Sequence, residues 1–262
     1  MNRLKFISAI LIIFFVNSSF SQDTIIKNSQ KLKIDCLGNI YLIEKNNFSV
    51  ISKGTKKEYQ NNYLGNIFSA DVSNPLRILI FHKEANQIVF LNNELSIIGE
   101  AINLDEIGLP DISVICSSQI NGFWLYNNLN NRIEFFNQNL NKIHSSINLS
   151  QFIESSNDVQ EIKMKDKKVY LKTKNTGILV FDMFGTYIKT LPIKSSTSFQ
   201  ILENAILYTK SNQVIVYDFQ KLDSFIIYQS QTPIRYARIN DNKLFVLENE
   251  KLSSLNITPQ VK

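Results

Sequence analysis

Short apolar runs alternate with polar turns along nearly the whole chain after residue 22. Residues 77–104, RILIFHKEANQIVFLNNELSIIGEAINL, show the pattern: three strand-like runs are separated by a polar turn and an Asn-rich turn. Runs with period two that are rich in β-branched and aromatic residues are typical of strands. No long segment carries a helical stripe, although residues 150–157 have room for one helical turn. The pattern therefore predicts an all-β protein.

A two-strand hairpin recurs six times along the chain. The second strand of each hairpin begins at an equivalent apolar position, and successive positions are 36 to 45 residues apart: Phe48, Ile88, Ile133, Ile178, Val214 and Leu252. A period of this length with about four short strands in each repeat is the signature of β-propeller blades. We predict a single domain over residues 22–262 with six four-stranded antiparallel blades. Seven blades is the alternative count, and the regular period disfavours a β-sandwich.

The remaining strands of each blade are predicted on either side of the hairpin. Inner strands are expected at residues 34–36, 67–72, 112–116, 159–164, 199–202 and 234–239. Outer strands are expected at residues 95–102, 140–149, 186–193 and 222–228. The last repeat reaches the C-terminus without a fourth strand, and residues 24–28 are strand-like with no partner. We expect this N-terminal strand to complete the sixth blade and close the ring, because closure removes exposed sheet edges.

Residues 1–21 have the pattern of a signal peptide. Arg3 and Lys5 supply the positive start, residues 6–16 are apolar, and Ser19 and Ser21 place small side chains before Gln22. The apolar run has the length of a signal-peptide core and is too short to span a bilayer. The sequence therefore predicts export with cleavage before Gln22. No later segment is apolar enough to cross a membrane, so we expect a periplasmic or outer-membrane-associated protein without a transmembrane segment.

Charge and cysteine content narrow the functional classes only slightly. The formal net charge is +5, and loss of Arg3 and Lys5 leaves +3, which is too small an excess to indicate a nucleic-acid partner. Export permits a disulfide between Cys36 and Cys116. Both cysteines, however, are predicted late in the first strands of blades that are not neighbours. We expect them to lie too far apart to bond, as two small buried side chains.

The first repeat contains the motif DCLGNIY at residues 35–41. This motif resembles the D-x-x-G-N-I-Y turn of NHL-type blades and related six-bladed propellers. The resemblance covers one blade, since the other five have no such Asp-x-x-Gly pair before their second strand. It implies a structural role, in which Gly38 takes the turn and Asp35 binds local backbone. It implies the propeller fold and no activity.

The segment DVSNPL at residues 71–76 and the hairpins that follow it give a second, looser resemblance. The chain is similar to exported propellers that accompany outer-membrane machinery in gliding-type bacteria. Among these it resembles the plug subunit bound to the translocon of the type IX secretion system. The resemblance implies a protein partner in the cell envelope, in an outer-membrane complex. The plain alternative for residues 71–76 is an inner strand that ends in an Asn-Pro turn.

Candidate catalytic and metal-ligating residues do not form a recognised motif. His82 and His144 are the only histidines, lie on different predicted blades, and have no acidic residue at metal-ligand spacing beside both. No nucleophile elbow or Gly-rich phosphate loop is present. Four acidic residues near inner strands could face a central channel and bind Ca²⁺, or could cap turns: Asp35, Asp71, Asp111 and Glu161. We favour turn capping, because these residues do not recur at one position in each blade.

A cluster of lysines and a single tryptophan are the remaining candidates for a functional surface. The lysines 163, 165, 167, 168, 172 and 174 fit either a surface for an anionic partner or a solvated strand edge protected by charge, and we favour the solvated edge. Trp124 is expected in the core between blades, with a partner-binding role as the alternative. The sequence assigns no catalytic, cofactor-binding or metal residue. It favours a non-enzymatic protein-interaction module, with a metal-dependent hydrolase or lyase and a small-molecule or glycan sensor as alternatives.

Overall fold

The computed structural model describes residues 13–17, 24–27, 30–52, 54–195 and 197–260. Strands dominate this part of the chain, and its only helical segments are two single 3-10 turns, Asp105–Ile107 and Ser156–Asp158. The second of these lies at the end of the segment that was expected to hold a helical turn. The first two strands are β1 Ile13–Asn17 and β2 Thr24–Ile25. Both pair with the last strand of the chain and belong to the sixth blade.

The chain divides into two compact units. Residues 27–196 form a four-blade unit, which contains blades one to four. Residues 1–26 and 197–262 form a two-blade unit, which contains blades five and six. The fold class is therefore the predicted one: an all-β, six-bladed propeller with four-stranded antiparallel blades.

Each blade of the four-blade unit is one antiparallel sheet, and its strands lie side by side in chain order. Register is continuous through the central hairpins; Tyr41 faces Val50 in blade one and Trp124 faces Phe135 in blade three. The strands are β3 Lys31–Ile34, β4 Ile40–Glu44, β5 Asn47–Ser52, β6 Thr55–Gln60, β7 Ser69–Asp71, β8 Ile78–His82, β9 Gln87–Leu91, β10 Ile102–Asn103, β11 Ile112–Ser118, β12 Gly122–Asn127, β13 Arg132–Asn137, β14 Lys142–Ser145, β15 Val159–Lys165, β16 Lys168–Thr173, β17 Ile178–Asp182 and β18 Tyr187–Leu191.

The two-blade unit contains the remaining strands and the N-terminal strand that completes blade six. Thr24 of β2 lies opposite Leu252, and Ile13 of β1 lies opposite Gln260, so the two N-terminal strands share one edge of the last strand. The prediction that an N-terminal strand supplies the missing strand of blade six is confirmed. The strands are β19 Phe199–Ile201, β20 Ala205–Lys210, β21 Gln213–Asp218, β22 Asp223–Gln229, β23 Ile234–Asn240, β24 Lys243–Glu248 and β25 Lys251–Gln260.

Burial explains why the middle strands are continuous apolar runs. All five residues of β8 and all six of β12 are buried, because both faces of a blade pack against neighbouring blades. In the four-blade unit, apolar clusters join blades one and two, two and three, and three and four. A further cluster joins blades five and six in the two-blade unit. Each fully buried Leu, Ile or Phe contributes about 1.5–3 kcal/mol relative to exposure, so the interfaces between blades hold the fold together.

The predicted strands differ most from the structure in blades one and two. The inner strand of blade one is β3, not residues 34–36, because residues 35–39 form the following turn. The outer strand of blade two shrinks to β10, preceded by an isolated bridge between Leu91 and Ile97. The outer strand of blade one, β6, was not predicted, because its sequence TKKEYQ is mostly polar and exposed. Outer strands bury little, so they carry the weakest apolar signal.

Most of the predicted signal peptide lies outside the described residues. Its residues 13–17 form β1, which pairs with the C-terminal half of β25. Export and cleavage before Gln22 stay predictions, as does the boundary of a single domain at residue 22. Among the residues that the structure describes, no helix has both the length and the apolarity that a membrane span requires.

Candidate interaction surface

Asp35 is a turn residue, as the resemblance to NHL-type blades implies. Its Oδ1 accepts hydrogen bonds from the backbone N–H groups of Leu37 and Asn39, at 2.8 and 2.9 Å. Its Oδ2 accepts bonds from the Asn39 amide and the Tyr41 hydroxyl, at 2.8 and 2.9 Å. Burial and the Asp35 carboxylate raise the pKa of Tyr41 well above its ordinary value, so the hydroxyl remains the donor. Gly38 completes the turn at a φ of 81°.

Two further candidate carboxylates also hold backbone and amide groups. Asp71 accepts a 2.9 Å bond from the backbone N–H of Ser73 and, across to blade three, another 2.9 Å bond from the backbone N–H of Ser117. Asp111 accepts a 2.6 Å bond from the Asn128 side-chain amide. These contacts support the expectation that the acidic residues cap turns.

Glu161 differs from the other three, because it lies among lysines on the inner strands. Its Oε1 is 3.3 Å from Nζ of Lys33 on β3 and 3.2 Å from Nζ of Lys163 on its own strand. Lys172 of β16 is buried nearby; desolvation lowers its pKa, and the Glu161 charge partly offsets this effect. The expected solvated edge is therefore wrong for Lys172. Within the four-blade unit, the Lys33–Glu161 pair bridges the inner strands of blades one and four.

The histidines and the tryptophan have other surroundings. His82 is buried, with its Nδ1 3.2 Å from the Gly65 carbonyl oxygen. His144 is at the outer side of blade three, where its ring stacks on Phe135. Trp124 is fully buried in the cluster between blades three and four, as expected for a core residue.

The two cysteines are free, and they differ in exposure. Cys36 is exposed in the turn after β3, and Cys116 is buried in β11. Burial and the nearby charge of Asp71 raise the pKa of the Cys116 thiol well above its ordinary value, which makes that thiol unreactive. The prediction of two buried cysteines therefore holds for Cys116 and is wrong for Cys36.

Three consecutive blades expose one large aliphatic side chain at the turn between their first and second strands. Leu37 in blade one is 72% exposed, Leu76 in blade two 67% and Ile120 in blade three 46%. The equivalent turn of blade four carries Asp166 and Lys167 instead. Large apolar side chains repeated at equivalent exposed positions indicate a contact surface more strongly than scattered ones do. We call Leu37, Leu76 and Ile120 the apolar turn surface.

Chain topology places these three residues at the same end of their blades. A blade of four antiparallel strands begins and ends on one side, where the connections to the next blade run. The turn between its first and second strands therefore lies on the opposite side. The bond from the Ser117 backbone to Asp71 joins the ends of β11 and β7 beside these turns. This bond holds the turns of blades two and three in fixed relation.

Sequence reasoning singled out two of the three turns for another reason. Leu37 lies inside the motif at residues 35–41, and Leu76 ends the segment at residues 71–76. The sequence does contain a signal for the apolar turn surface: an apolar residue in the middle of an otherwise polar turn. The turn SQING at residues 118–122 shows the same pattern, with Ile120 as its apolar residue. A single such residue carries no information, because isolated exposed apolar residues are common. The signal appears only when the three turns are superposed blade by blade.

The comparisons with known proteins establish the fold alone. No family profile matches the chain, and no curated protein matches it. Among solved structures, a catalytically inactive virginiamycin B lyase from Staphylococcus aureus with quinupristin is 12% identical, with a TM-score of 0.57, covering 94% of this chain and all of that one. A streptogramin B lyase is 14% identical, with a TM-score of 0.53, covering 94% of this chain and 98% of that one. BamB from Moraxella catarrhalis is 9% identical, with a TM-score of 0.53, covering 86% and 81%.

The candidate carboxylates do not converge on one point. In the described part of the chain, no three His, Cys, Asp or Glu side chains are grouped as a metal would require. Asp35, Asp71 and Asp111 each bind a different turn, and Glu161 binds lysines. The feature that recurs from blade to blade is the apolar turn surface.

Proposed function

We propose that this protein is a non-enzymatic interaction module of the cell envelope, which binds a partner protein through the apolar turn surface. The single observation that carries the proposal is the exposure of Leu37, Leu76 and Ile120 at equivalent turns of three consecutive blades. Burial of about 100 Å² of apolar surface at each side chain would contribute roughly 2.5 kcal/mol. Three such contacts on a rigid support suit the buried centre of a protein interface.

The location and the partner form the finer part of the proposal. The charged, apolar and small-residue pattern of residues 1–21 supports export to the periplasm or the outer membrane. The resemblance of residues 71–76 and the later hairpins to exported propellers supports a plug or accessory subunit of a type IX secretion translocon. In that role the propeller would act sterically, as a preformed surface that occupies part of its partner. Rigid blades lose little conformational entropy on binding.

The test is affinity isolation of the tagged protein from gently solubilised envelopes, followed by mass spectrometry of the proteins that accompany it. The decisive variant replaces the three side chains with a residue that suits turns: Leu37→Asn, Leu76→Asn and Ile120→Asn. The matched control replaces exposed isoleucines of outer strands with a polar residue that suits strands: Ile143→Thr, Ile188→Thr and Ile226→Thr.

We expect a stoichiometric envelope partner with the unmodified protein and with the control, and at least a tenfold loss with the turn variant. Thermal unfolding of all three proteins checks that each is folded. Isolation of the unmodified protein without any partner would contradict the interaction proposal. A partner retained by the turn variant but lost by the control would move the interface to the outer strands. A stoichiometric partner outside any secretion complex would remove only the translocon assignment.

A further inference from the structure

A cleft opens at the other end of blades one and two, away from the apolar turn surface. It has a volume of about 490 Å³ and is lined by Lys31, Asn66, Ile67, Phe68, Lys83 and Glu84. Lys31 begins β3, and Lys83 and Glu84 follow β8 in the turn to β9. The other three residues lie in the connection from β6 to β7. The volume falls in the range of small-molecule sites, which is about 300–1,000 Å³.

Phe68 forms an aromatic wall of this cleft. Its ring packs edge-on against the buried Phe81, with 5.9 Å between ring centroids, so its position is held from behind. The side chain remains 37% exposed on the other side. Such a ring offers a flat apolar surface whose orientation is already set.

Two ammonium groups approach the same ring. Nζ of Lys31 lies 5.5 Å and Nζ of Lys83 4.9 Å from the Phe68 ring centroid. Lys31 also donates a 3.0 Å hydrogen bond to the Phe68 carbonyl oxygen, which holds its side chain over the cleft. Each contact with the ring contributes about 0.5–1 kcal/mol at an exposed site, but the two like charges repel each other.

Two lysines and one carboxylate, that of Glu84, line the cleft, so the lining carries a net positive charge. In the described residues, neither Lys31 nor Lys83 forms an ion pair with a carboxylate. Desolvation and the neighbouring charge of Lys33 lower the pKa of Lys31. A bound anion would relieve the repulsion and satisfy donors on both ammonium groups.

We propose that this cleft binds a small organic anion, with a carboxylate or phosphate group between Lys31 and Lys83 and an apolar part against Phe68. The two lysines supply charge, the ring selects a flat apolar body, and Asn66 adds a polar residue to the lining. This proposal does not depend on the protein-interaction proposal, because the cleft and the apolar turn surface lie at opposite ends of the blades.

The test uses three probes on the purified protein: phenyl phosphate, benzoate and inorganic phosphate, with benzyl alcohol as the neutral comparison. Binding is measured by isothermal titration calorimetry and by chemical-shift changes of the amide signals of residues 31, 66–68 and 83. The variants are Lys31→Gln with Lys83→Gln, and Phe68→Ala. The matched control is Lys168→Gln, which removes an exposed lysine of blade four.

We expect phenyl phosphate or benzoate to bind saturably, with shift changes at the cleft, and benzyl alcohol to bind more weakly. The double lysine variant should weaken binding by about tenfold or more, Phe68→Ala should weaken it severalfold, and Lys168→Gln should leave it unchanged. Which of the two aromatic anions binds more tightly identifies the acidic group.

Failure of both anions to bind, or equal binding of benzyl alcohol, would overturn the proposal. So would equal weakening by Lys168→Gln, because that would indicate binding to general surface charge. Inorganic phosphate that binds as tightly as phenyl phosphate, with no effect of Phe68→Ala, would overturn the role of the ring.

Discussion

Nζ of Lys33 lies 3.3 Å from Oε1 of Glu161, although 128 residues separate the two along the chain. Their side chains are 23% and 18% exposed, so the contact is only partly screened by water. Glu161 also contacts Lys163 and lies near the buried Lys172. One carboxylate therefore balances several positive charges on inner strands of the four-blade unit.

Replacement of this carboxylate should destabilise the protein. We expect Glu161→Gln to lower the free energy of unfolding by about 2 kcal/mol, because the lysines then repel each other without a counterion. Urea unfolding followed by circular dichroism measures the change. The control is Glu58→Gln, which breaks an exposed pair with Lys56 on β6 and should have no measurable effect. Equal stability of the two variants would show that the inner-strand pair contributes no more than a surface pair.

The N-terminal strand of blade six can be tested with two neighbouring residues. Ile26 is fully buried and its backbone N–H donates a 2.6 Å hydrogen bond to the Glu250 carbonyl oxygen, whereas Ile25 is 77% exposed. We expect Ile26→Ala to lower the free energy of unfolding by about 2–4 kcal/mol, because it leaves a cavity in the unit. Ile25→Ala should leave stability within about 0.5 kcal/mol. Thermal unfolding of both variants provides the measurement, and similar losses would refute the packing of this strand.

Burial of His82 predicts a loss of stability in mild acid. Desolvation lowers the pKa of His82 below its ordinary value of 6.5, and backbone hydrogen bonds offset this only in part. The unfolded chain therefore binds the proton more tightly, so the free energy of unfolding falls as the pH falls below about 6.5. The slope for one proton cannot exceed about 1.4 kcal/mol per pH unit.

The histidine can be removed to check this effect. We expect His82→Gln to flatten the dependence of stability on pH between pH 7 and pH 5, measured by urea unfolding at several pH values. Tyr59→Phe is the control, since Tyr59 packs near His82 with 6.4 Å between ring centroids and burial raises its pKa above 10. This control should keep the slope of the unmodified protein. An unchanged slope in His82→Gln would assign the effect to other groups.

Close packing at the start of β12 makes Gly122 intolerant of a side chain. A Cβ atom there would overlap the Phe136 carbonyl oxygen and lie 2.7 Å from Cε2 of Phe135. We expect Gly122→Ala to cost about 2–4 kcal/mol, because the hairpin of blade three must open to admit the methyl group. Gly108→Ala is the control: its φ of 78° is unfavourable for a side chain, but its Cβ would meet nothing within 4 Å, so it should cost about 1 kcal/mol. A smaller loss at Gly122 than at Gly108, in thermal unfolding, would contradict the steric argument.

Local sequence determined the blades. Strands such as β8 and β12 can be recognised in the sequence as short apolar runs, and the repeat of their hairpins predicts the blade count of six. The turn at Asp35 could also be predicted, because its hydrogen bonds join residues no more than six positions apart. Signals of this kind survive in the sequence because each depends on neighbours within one hairpin.

Tertiary structure decided the features that carry function. Lys33 and Glu161 meet, Leu37 aligns with Leu76 and Ile120, and Lys31 meets Lys83 over Phe68 only because strands from different repeats come together. The period predicts that blades exist but not which side chains of neighbouring blades approach one another, since apolar packing is non-directional and tolerates many residue combinations. The sequence by itself thus determined the architecture, and side-chain contacts between blades decided where charge and apolar surface are displayed.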